Sequence, residues 1–150
     1  MNSFTIAEFI HAAIAGQAGS AHIYEVSTVS TAHAQIIQSR TSIDVVGFKH
    51  ILDDGAVRHT LKRHGNPAKE AQRGQIAVTP ADFTLIPLIV SEFDSVRYGG
   101  KNKIGREVIV FRKAIGDAYF YVAEVRTGRK RLAMQTMYKR KAPNQEGLIP

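Results

Sequence analysis

Apolar residues near the N-terminus recur at the spacing of a helix. Phe4, Ala7, Ile10, Ala13 and Ile14 are three or four positions apart, so they share one face of an α-helix. The stretch lacks the early Lys or Arg of a signal peptide, and polar side chains interrupt its apolar run. We therefore expect an amphipathic helix at the start of the chain.

Short extended and helical patterns alternate in the next part of the chain. HIYEVSTVS and DVVGFKHIL are rich in β-branched residues and predict two strands. AHAQIIQSR and AVRHTLKRHG predict two helices. The second of these helices ends at Gly65, a residue type that is common just after a helix.

A polar stretch and a further helical region follow. NPAKEAQRGQ is expected to be a loop because it is polar and contains Pro and Gly. Thr79 is a suitable N-cap and Pro80 suits the first helical turn, so a helix should begin there. Pro87 must kink or divide this helix, and we expect two short pieces that end near Asp94.

From residue 95 onwards the pattern changes to a period of two. SVRYGG, EVIVFRK, AYFYVAEVR and KRLAMQTMYK are rich in β-branched and aromatic residues, and turns that contain glycine separate them. This pattern is typical of an antiparallel meander of about four strands. N-terminal helices with one or two short strands, packed on a C-terminal meander, define an α+β fold.

Positive charge is concentrated in the C-terminal third, although the formal net charge of the whole chain is only +7. Residues 97–141 contain thirteen Lys or Arg and three acidic residues, whereas residues 1–96 contain seven cations and nine anions. This asymmetry favours a polyanion partner, most often a nucleic acid. The alternative is a soluble protein whose isoelectric point is simply high.

Composition excludes several other classes of protein. A chain of 150 residues with 44 % hydrophobic residues is long enough for one domain with a buried core. The absence of cysteine excludes disulfides and thiolate chemistry but leaves the compartment open. No apolar run approaches the length of a transmembrane helix, so we expect no membrane span.

The segment RHTLKRHG places two histidines among cations on one predicted helix. Helical geometry puts His64 on the apolar face with Leu61, whereas His59 lies on the opposite side beside Lys62 and Arg63. In that position His64 can cap the C-terminal end of the helix. His59 is either a solvated side chain or a catalytic group.

A metal site is a poor explanation for this helix. Two metal ligands on a helix need a spacing of about four positions, whereas these histidines are five apart and flanked by cations. RNA cleavage needs no metal, because the 2′-hydroxyl of the substrate is the nucleophile and the protein must supply an acid/base pair and cations. Histidine, which titrates at about pH 6.5, suits acid/base catalysis. We therefore expect no metal and no cofactor.

The last two predicted strands become polar towards one end. Glu124 and Arg126 alternate onto one face of the first strand, and Thr136 and Tyr138 onto one face of the second. A three-residue loop at 127–129 would bring both pairs to the same face, whereas a two-residue loop would put them on opposite faces. An ordinary, half-exposed strand end is the alternative explanation.

Further cations are candidates for contacts with phosphate. They are Lys62 and Arg63 on the histidine helix, Lys101 and Lys103 in a glycine-containing loop, Arg129 and Lys130 in the last hairpin, and Lys139 beside Tyr138. Ordinary surfaces also carry such residues, so each of them can equally be a solvated charge.

Three stretches, taken in order, resemble a known group of nucleases. RHTLKRHG, RGQIAVTPADFTLIPLIV and YFYVAEVRTGRKRLAMQTMYK are similar to the phage-type nucleases of the barnase–EndoU–colicin–RelE (BECR) superfamily. The TMYK ending resembles the Ser/Thr-x-Tyr strand of EndoU-like enzymes. The similarity covers about residues 45–141, which leaves 1–44 as a helical N-terminal extension and 142–150 as a tail of a single domain.

The resemblance implies a metal-independent ribonuclease, usually a toxin module that cuts tRNA and is held inactive by a cognate immunity protein or antitoxin. Such modules act in the bacterial cytoplasm and are expected to be monomeric when free. They are delivered, by secretion or by a phage, as the C-terminal part of a larger protein. Carried over by motif, His59 would be the general acid/base, Thr136 and Tyr138 the sheet residues, and Arg126 a phosphate ligand.

One part of the EndoU pattern is missing, because no second histidine and lysine pair matches it. Tyr138, Lys139 and His64 therefore compete for the role of acid partner to the catalytic histidine. Lys62 and Glu124 are secondary candidates for the site.

The resulting hypothesis is an α+β endoribonuclease that leaves a 2′,3′-cyclic phosphate and a 5′-hydroxyl. An RNA-binding module without chemistry and an interaction domain of a phage structural protein are the alternatives. A nucleotide transferase is less favoured, because the chain contains no glycine-rich phosphate loop of known spacing.

Overall fold

The computed structural model describes residues 5–16 and 22–142. In chain order its elements are α1 (Ile6–Ile14), β1 (Ile23–Thr28), α2 (Thr31–Thr41), β2 (Lys49–Asp53), α3 (Asp54–His64), α4 (Pro67–Gln72), a 3-10 helix (Pro80–Leu85), α5 (Ile86–Ser91), β3 (Ser95–Lys101), β4 (Glu107–Ile115), β5 (Asp117–Arg126), a 3-10 turn (Thr127–Arg129) and β6 (Arg131–Arg140). Phe4 of the predicted helix and residues 143–150 of the predicted tail lie outside the described residues. No helix in the described ranges is long and apolar enough to span a bilayer.

One six-stranded sheet runs through the fold in the order β1-β2-β6-β5-β4-β3. Strands β3 to β6 form the antiparallel meander that the period of two predicts. The two short N-terminal strands extend the same sheet, because β2 pairs in parallel with the first residues of β6. The predicted α+β class is confirmed.

The N-terminal helix forms, but its buried face differs in part from the predicted one. Ile10 and Ala13 are buried as expected, and Phe9 is fully buried beside them. Ala7 is exposed, and Ile14 is 40 % exposed. The buried face is therefore rotated towards Phe9, which packs its ring 5.7 Å from that of Tyr24 in β1.

The prediction of a polar loop at 66–75 is wrong, because residues 67–72 form α4. The side chain of Asn66 accepts a hydrogen bond from the backbone N–H of Lys69 at 3.1 Å, and Pro67 occupies the first turn. Asn-Pro is a common turn signal, but the same pair also starts helices. Glu70 anchors this short helix, since its side chain is completely buried.

The second helical region follows the prediction more closely. Thr79 and Asp82 form a capping box at its start. The 3-10 helix gives way to α5 at Ile86, and Pro87 lies in the first turn of α5, where no helical N–H is needed. Helix α5 ends at Ser91.

The helices cover one face of the sheet and bury the main core. Its largest residues include Phe9, Ile37, Phe83, Ile89, Ile109, Phe111, Tyr121 and Met134. The opposite face carries a smaller apolar cluster of Val108, Val110, Ala118, Phe120, Val122 and Ala142, with Tyr138 against it. We call this second side the open face, because no helix of the described residues belongs to its cluster.

A β-bulge in β6 decides which side chains share the open face. The hairpin pairs Arg126 with Arg131, so four residues form the loop and a regular ladder would turn Thr136 towards the helices. The register shifts after Met134, and Thr136 pairs with Val122 instead. The bulge at residue 135 therefore places Thr136 and Tyr138 on the face that carries Glu124 and Arg126. The two predicted loop lengths were both wrong, because the loop has four residues, but the shared face expected for a three-residue loop is present.

Helix α3 lies beside the part of β6 that has no strand on that side. Strand β2 pairs only with residues 131–133 of β6, and the Asp53 side chain then caps α3 by accepting from the N–H of Ala56 at 2.7 Å. The helix ends at Gly65, whose φ of −95° lies outside the left-handed region. A Cβ at Gly65 would lie 2.4 Å from the carbonyl oxygen of Leu61, so close backbone packing explains the glycine.

Candidate active site

A cavity of about 520 Å³ opens between α3, the β3–β4 loop and the bulge of β6. Its lining consists of His59, Arg63, Asn102, Lys103, Ile104, Gln135 and Thr136. We call this cavity the His59 pocket. It brings together three parts of the chain that are distant in sequence: the histidine helix, the basic loop and the polar end of the last strand.

His59 is exposed, and neither nitrogen of its ring has a hydrogen-bond partner within the described residues. Arg63, four residues later, projects into the same pocket because residues at this spacing share a helix face. Lys62 is also exposed but does not line the pocket. The ring of His59 is therefore accessible to a ligand and flanked by a guanidinium group.

Thr136 contributes a hydroxyl group that the fold leaves unused. Its Oγ1 atom is buried and makes no hydrogen bond within the described residues. Most buried polar atoms in proteins have a partner, and an unpaired one is unfavourable by about 1–3 kcal/mol. Thr136 lines the His59 pocket, so rotation about its Cα–Cβ bond would bring the hydroxyl to a ligand there and supply the missing partner.

Asn102 fixes the loop that forms one wall of the pocket. Its side-chain oxygen accepts from the backbone N–H groups of Ile104 at 3.2 Å and Arg106 at 3.0 Å. Its amide nitrogen donates to Glu124 at 2.7 Å and to Gln135 at 3.0 Å. One side chain thus ties the loop with Lys103 to both β5 and the bulge, so the loop is held in place before any ligand binds.

Glu124 is the centre of a charged hydrogen-bond network on the open face. It accepts from Arg126 Nε at 2.8 Å and Arg106 Nη1 at 2.9 Å, in addition to Asn102. Burial on its own raises the pKa of Glu124, but the hydrogen bonds from Arg126, Arg106 and Asn102 outweigh it and lower the pKa. The carboxylate is therefore ionised and serves to position its three neighbours.

A second cavity, of about 650 Å³, borders the same network through Arg106 and Arg126. Four arginines line it together with Ile23, Gly105, Glu107, Val125, Thr127 and Gly128; the arginines are Arg106, Arg126, Arg129 and Arg131. We call it the arginine pocket. Arg126 is fixed further by Asp53, whose Oδ2 lies 3.6 Å from its Nη2.

The model of the phage-Barnase-EndoU-ColicinE5/D-RelE like nuclease 3 family, PBECR3, matches residues 27–146. The chain belongs to this family. Membership confirms the resemblance to BECR nucleases and indicates that the domain cleaves nucleic acid. The match contains all of residues 45–141 and also α2 and the end of β1. No curated protein and no solved structure matches the chain.

His64 of this PBECR3 domain occupies a different environment from His59. Its ring is buried, and Nδ1 lies 3.0 Å from Oε1 of Glu70. Arg73 donates to the other oxygen of Glu70 at 2.6 Å. The ring of Tyr138 lies 5.7 Å from the His64 ring and stacks on Phe120 at 4.9 Å. Neither His64 nor Tyr138 is part of the lining of the His59 pocket.

Lys139 points to the helix side of the sheet, away from Thr136. Its ammonium group lies 3.0 Å from Asp82 and 3.7 Å from Asp117, and it is 5.5 Å from the ring centre of Tyr119. Because these carboxylates neutralise it, Lys139 is less available for phosphate than an unpaired cation.

The remaining predicted cations are exposed at separate places. Lys101 ends β3, and Lys130 completes the last hairpin with a left-handed φ of 53°. Neither lines the His59 pocket or the arginine pocket. In the described parts of the chain, no group of three or more His, Asp and Glu side chains is arranged to hold a metal ion.

Sequence reasoning missed Asn102, Gln135 and Glu70. Asn102 stands in the basic loop KNKIG, where turn-forming residues are ordinary, and its side-chain partners Glu124 and Gln135 are more than twenty positions away. Gln135 acquires its role only through the bulge. Glu70 belongs to the segment for which the sequence predicts a loop, so its burial had no signal in the pattern.

Proposed function

We propose that this PBECR3 domain is an endoribonuclease in which His59 exchanges protons with the ribose and phosphate oxygens of bound RNA. The observation that carries the proposal is the juxtaposition of an accessible imidazole, two cations and an unpaired hydroxyl in one cavity. These groups are His59, Arg63, Lys103 and Thr136. When the 2′-hydroxyl of the RNA is the nucleophile, the enzyme must supply a group that exchanges protons and cations that stabilise the phosphorane, and these residues can do both.

Each group has a role in that reaction. Neutral His59 accepts the proton of the 2′-hydroxyl as this oxygen attacks phosphorus, and the bond from phosphorus to the 5′-oxygen breaks. Arg63 and Lys103 stabilise the negative charge of the phosphorane, and the Thr136 hydroxyl donates to one of its oxygens. The products are a 2′,3′-cyclic phosphate and a 5′-hydroxyl, and water supplies the proton for the leaving oxygen, because His64, Tyr138 and Lys139 do not line the pocket.

The donor set of the pocket favours a reaction without a metal ion. Its lining contains no carboxylate, and the side chains nearest to His59 are cationic or neutral. Magnesium and calcium prefer several oxygen ligands, and Arg63 and Lys103 would repel them. We accordingly propose metal-independent cleavage, with tRNA as the first substrate to test and an acidic inhibitory partner as the form of regulation that fits the basic surface.

The test is incubation of the purified domain with total tRNA in the presence of EDTA, followed by mapping of the fragment ends. We expect discrete cuts with 2′,3′-cyclic phosphate and 5′-hydroxyl ends. His59→Gln should reduce the cleavage rate by about 10²–10⁴-fold, since this is the usual contribution of a general acid or base.

The matched control is His11→Gln, which alters an exposed histidine on α1 far along the chain from the pocket. It should cleave like the wild type, and both variants should unfold at the same urea concentration as the wild type. If the wild type binds RNA but never cuts it, the domain is an RNA-binding module and not a nuclease. Full activity of His59→Gln would refute the role of His59 in a working nuclease.

A further inference from the structure

We propose that the arginine pocket is a second phosphate-binding subsite, which holds a backbone phosphate of the RNA strand next to the phosphate that is cut in the His59 pocket. The subsite rests on the proposed ribonuclease function and extends that function. With two phosphate sites, the preferred substrate is a single-stranded RNA longer than two nucleotides. The relevant residues are Arg106, Arg126, Arg129 and Arg131.

The charge of the pocket suits an anion. Its lining has four guanidinium groups and a single carboxylate, that of Glu107, which accepts a hydrogen bond from the Tyr98 hydroxyl at 3.1 Å. Arg129 and Arg131 make no ion pair within the described residues. Arginine presents several N–H donors in a planar fork that matches two phosphate oxygens.

The pocket is also built before the ligand arrives. Glu124 holds Arg106 and Arg126 at 2.9 and 2.8 Å, and Asp53 lies 3.6 Å from the far end of Arg126. These carboxylates use only some of the donors on the two guanidinium groups, because each guanidinium carries five N–H bonds. The other donors can reach a phosphate, while Arg129 and Arg131 supply the unpaired positive charge.

One side chain connects the two pockets. Glu124 accepts from Asn102, which lines the His59 pocket, and from Arg106 and Arg126, which line the arginine pocket. Both cavities therefore border the hydrogen-bond network of this one carboxylate. A strand whose phosphates occupy both pockets is held by two sets of donors, whereas a mononucleotide is held by one.

The binding test uses a mixed-sequence RNA of about twelve nucleotides in which every 2′-hydroxyl is methylated, so that it cannot be cut. Fluorescence anisotropy gives its dissociation constant over a range of salt concentrations. For Arg129→Gln/Arg131→Gln we expect the slope of log affinity against log salt to decrease by about 0.7 for each phosphate that the variant no longer neutralises. Arg40→Gln/Lys69→Gln removes the same charge from exposed positions on α2 and α4 and should leave the slope unchanged.

The cleavage test compares two unmodified substrates, the same twelve-nucleotide RNA and a set of dinucleoside monophosphates. Arg129→Gln/Arg131→Gln should reduce kcat/KM about tenfold on the longer RNA, through KM, and leave the dinucleotides unaffected. Equal salt slopes for the two double variants, or no binding of RNA by the wild type, would overturn the subsite. Binding with the expected slopes but no cleavage of any RNA would retain the subsite and refute the nuclease proposal instead.

Discussion

His59 and His64 lie five residues apart on one helix, yet they occupy opposite kinds of environment. His59 is exposed, has no hydrogen-bond partner within the described residues and faces a cavity beside Arg63 and Thr136. His64 is 6 % exposed and lies 3.0 Å from Glu70, a carboxylate that is itself completely buried. The same side chain is thus used in two ways within a single helix.

The difference shows how hydrogen-bond partners separate a histidine with a structural role from one that is accessible to a ligand. In the cluster of His64, Glu70 and Arg73, each charged or polar group is satisfied by another, and the cluster joins α3 to α4. In the His59 pocket the imidazole and the two cations line a cavity that a substrate can fill. We therefore expect the cluster to determine stability and the pocket to determine activity.

Of the substitutions that distinguish the cluster from the pocket, Glu70→Ala should change the free energy of unfolding most. The change leaves His64 buried without its partner and removes the ion pair with Arg73. Removing one partner of a buried ion pair typically lowers the free energy of unfolding by about 3–5 kcal/mol. Urea denaturation measures this decrease, and the cleavage rate per folded molecule should stay the same.

Glu92→Ala is the control for that experiment, because Glu92 is an exposed residue just after α5. Its effect should be within about 0.5 kcal/mol, as is usual for surface positions. A Glu70 variant as stable as the wild type would show that the cluster contributes little. A folded Glu70 variant without activity would instead place His64 in the catalytic machinery.

A third histidine extends the comparison, because His50 is buried and Nδ1 of its ring is unpaired within the described residues. Burial, with a smaller contribution from His33, lowers the pKa of His50 to about 4. The unfolded chain then binds a proton at about pH 6.5, where the folded protein does not, so stability is complete above that pH and is lost as the pH falls towards 4. Between pH 7 and pH 4, the protonation of His50 should lower the free energy of unfolding by at most about 3 kcal/mol.

His50→Leu tests this pH dependence. The free energy of unfolding of the variant, measured in urea between pH 7 and pH 4, should change much less than that of the wild type. Below about pH 4 both proteins should lose stability, because Asp82, Asp94 and Glu124 have pKa values below the ordinary range in the folded state. An equal slope for the two proteins above pH 4 would mean that His50 takes up its proton without unfolding.

Periodicity was sufficient to predict most of the fold. The alternating apolar pattern identified β3 to β6, and the helical spacing of α3 placed His59 and His64 on different sides. These predictions succeeded because local geometry fixes them: a strand alternates every residue and a helix repeats every 3.6 residues or so. The meander then follows from short turns between consecutive strands.

The site depended on two features that have no local signal. The bulge at residue 135 turns Thr136 onto the open face and Lys139 onto the helix side, although the sequence alone allows either arrangement. The network of Glu124 with Asn102 and Arg106 joins residues 22 and 18 positions apart. Such contacts arise only when the sheet has formed, so the pattern of the chain cannot reveal them.

The smallest and most specific effect is expected from Thr136→Val, which removes the hydroxyl from the His59 pocket and preserves the shape of the side chain. The folded protein loses no hydrogen bond, because Oγ1 makes none within the described residues, so its stability should not decrease. A hydrogen bond to a charged phosphate contributes about 1.5–3 kcal/mol, so kcat/KM for RNA should fall by at least about tenfold. Thr136→Ser should restore activity.

Thr60→Val provides a matched control on α3. The Oγ1 atom of Thr60 is also buried and unpaired within the described residues, but the residue is completely buried and does not line the His59 pocket. This variant should keep both its stability and its cleavage rate. If the two valine variants cleave RNA equally well, the Thr136 hydroxyl does not touch the substrate. His59 would then be the one tested residue of the His59 pocket with an expected role in cleavage.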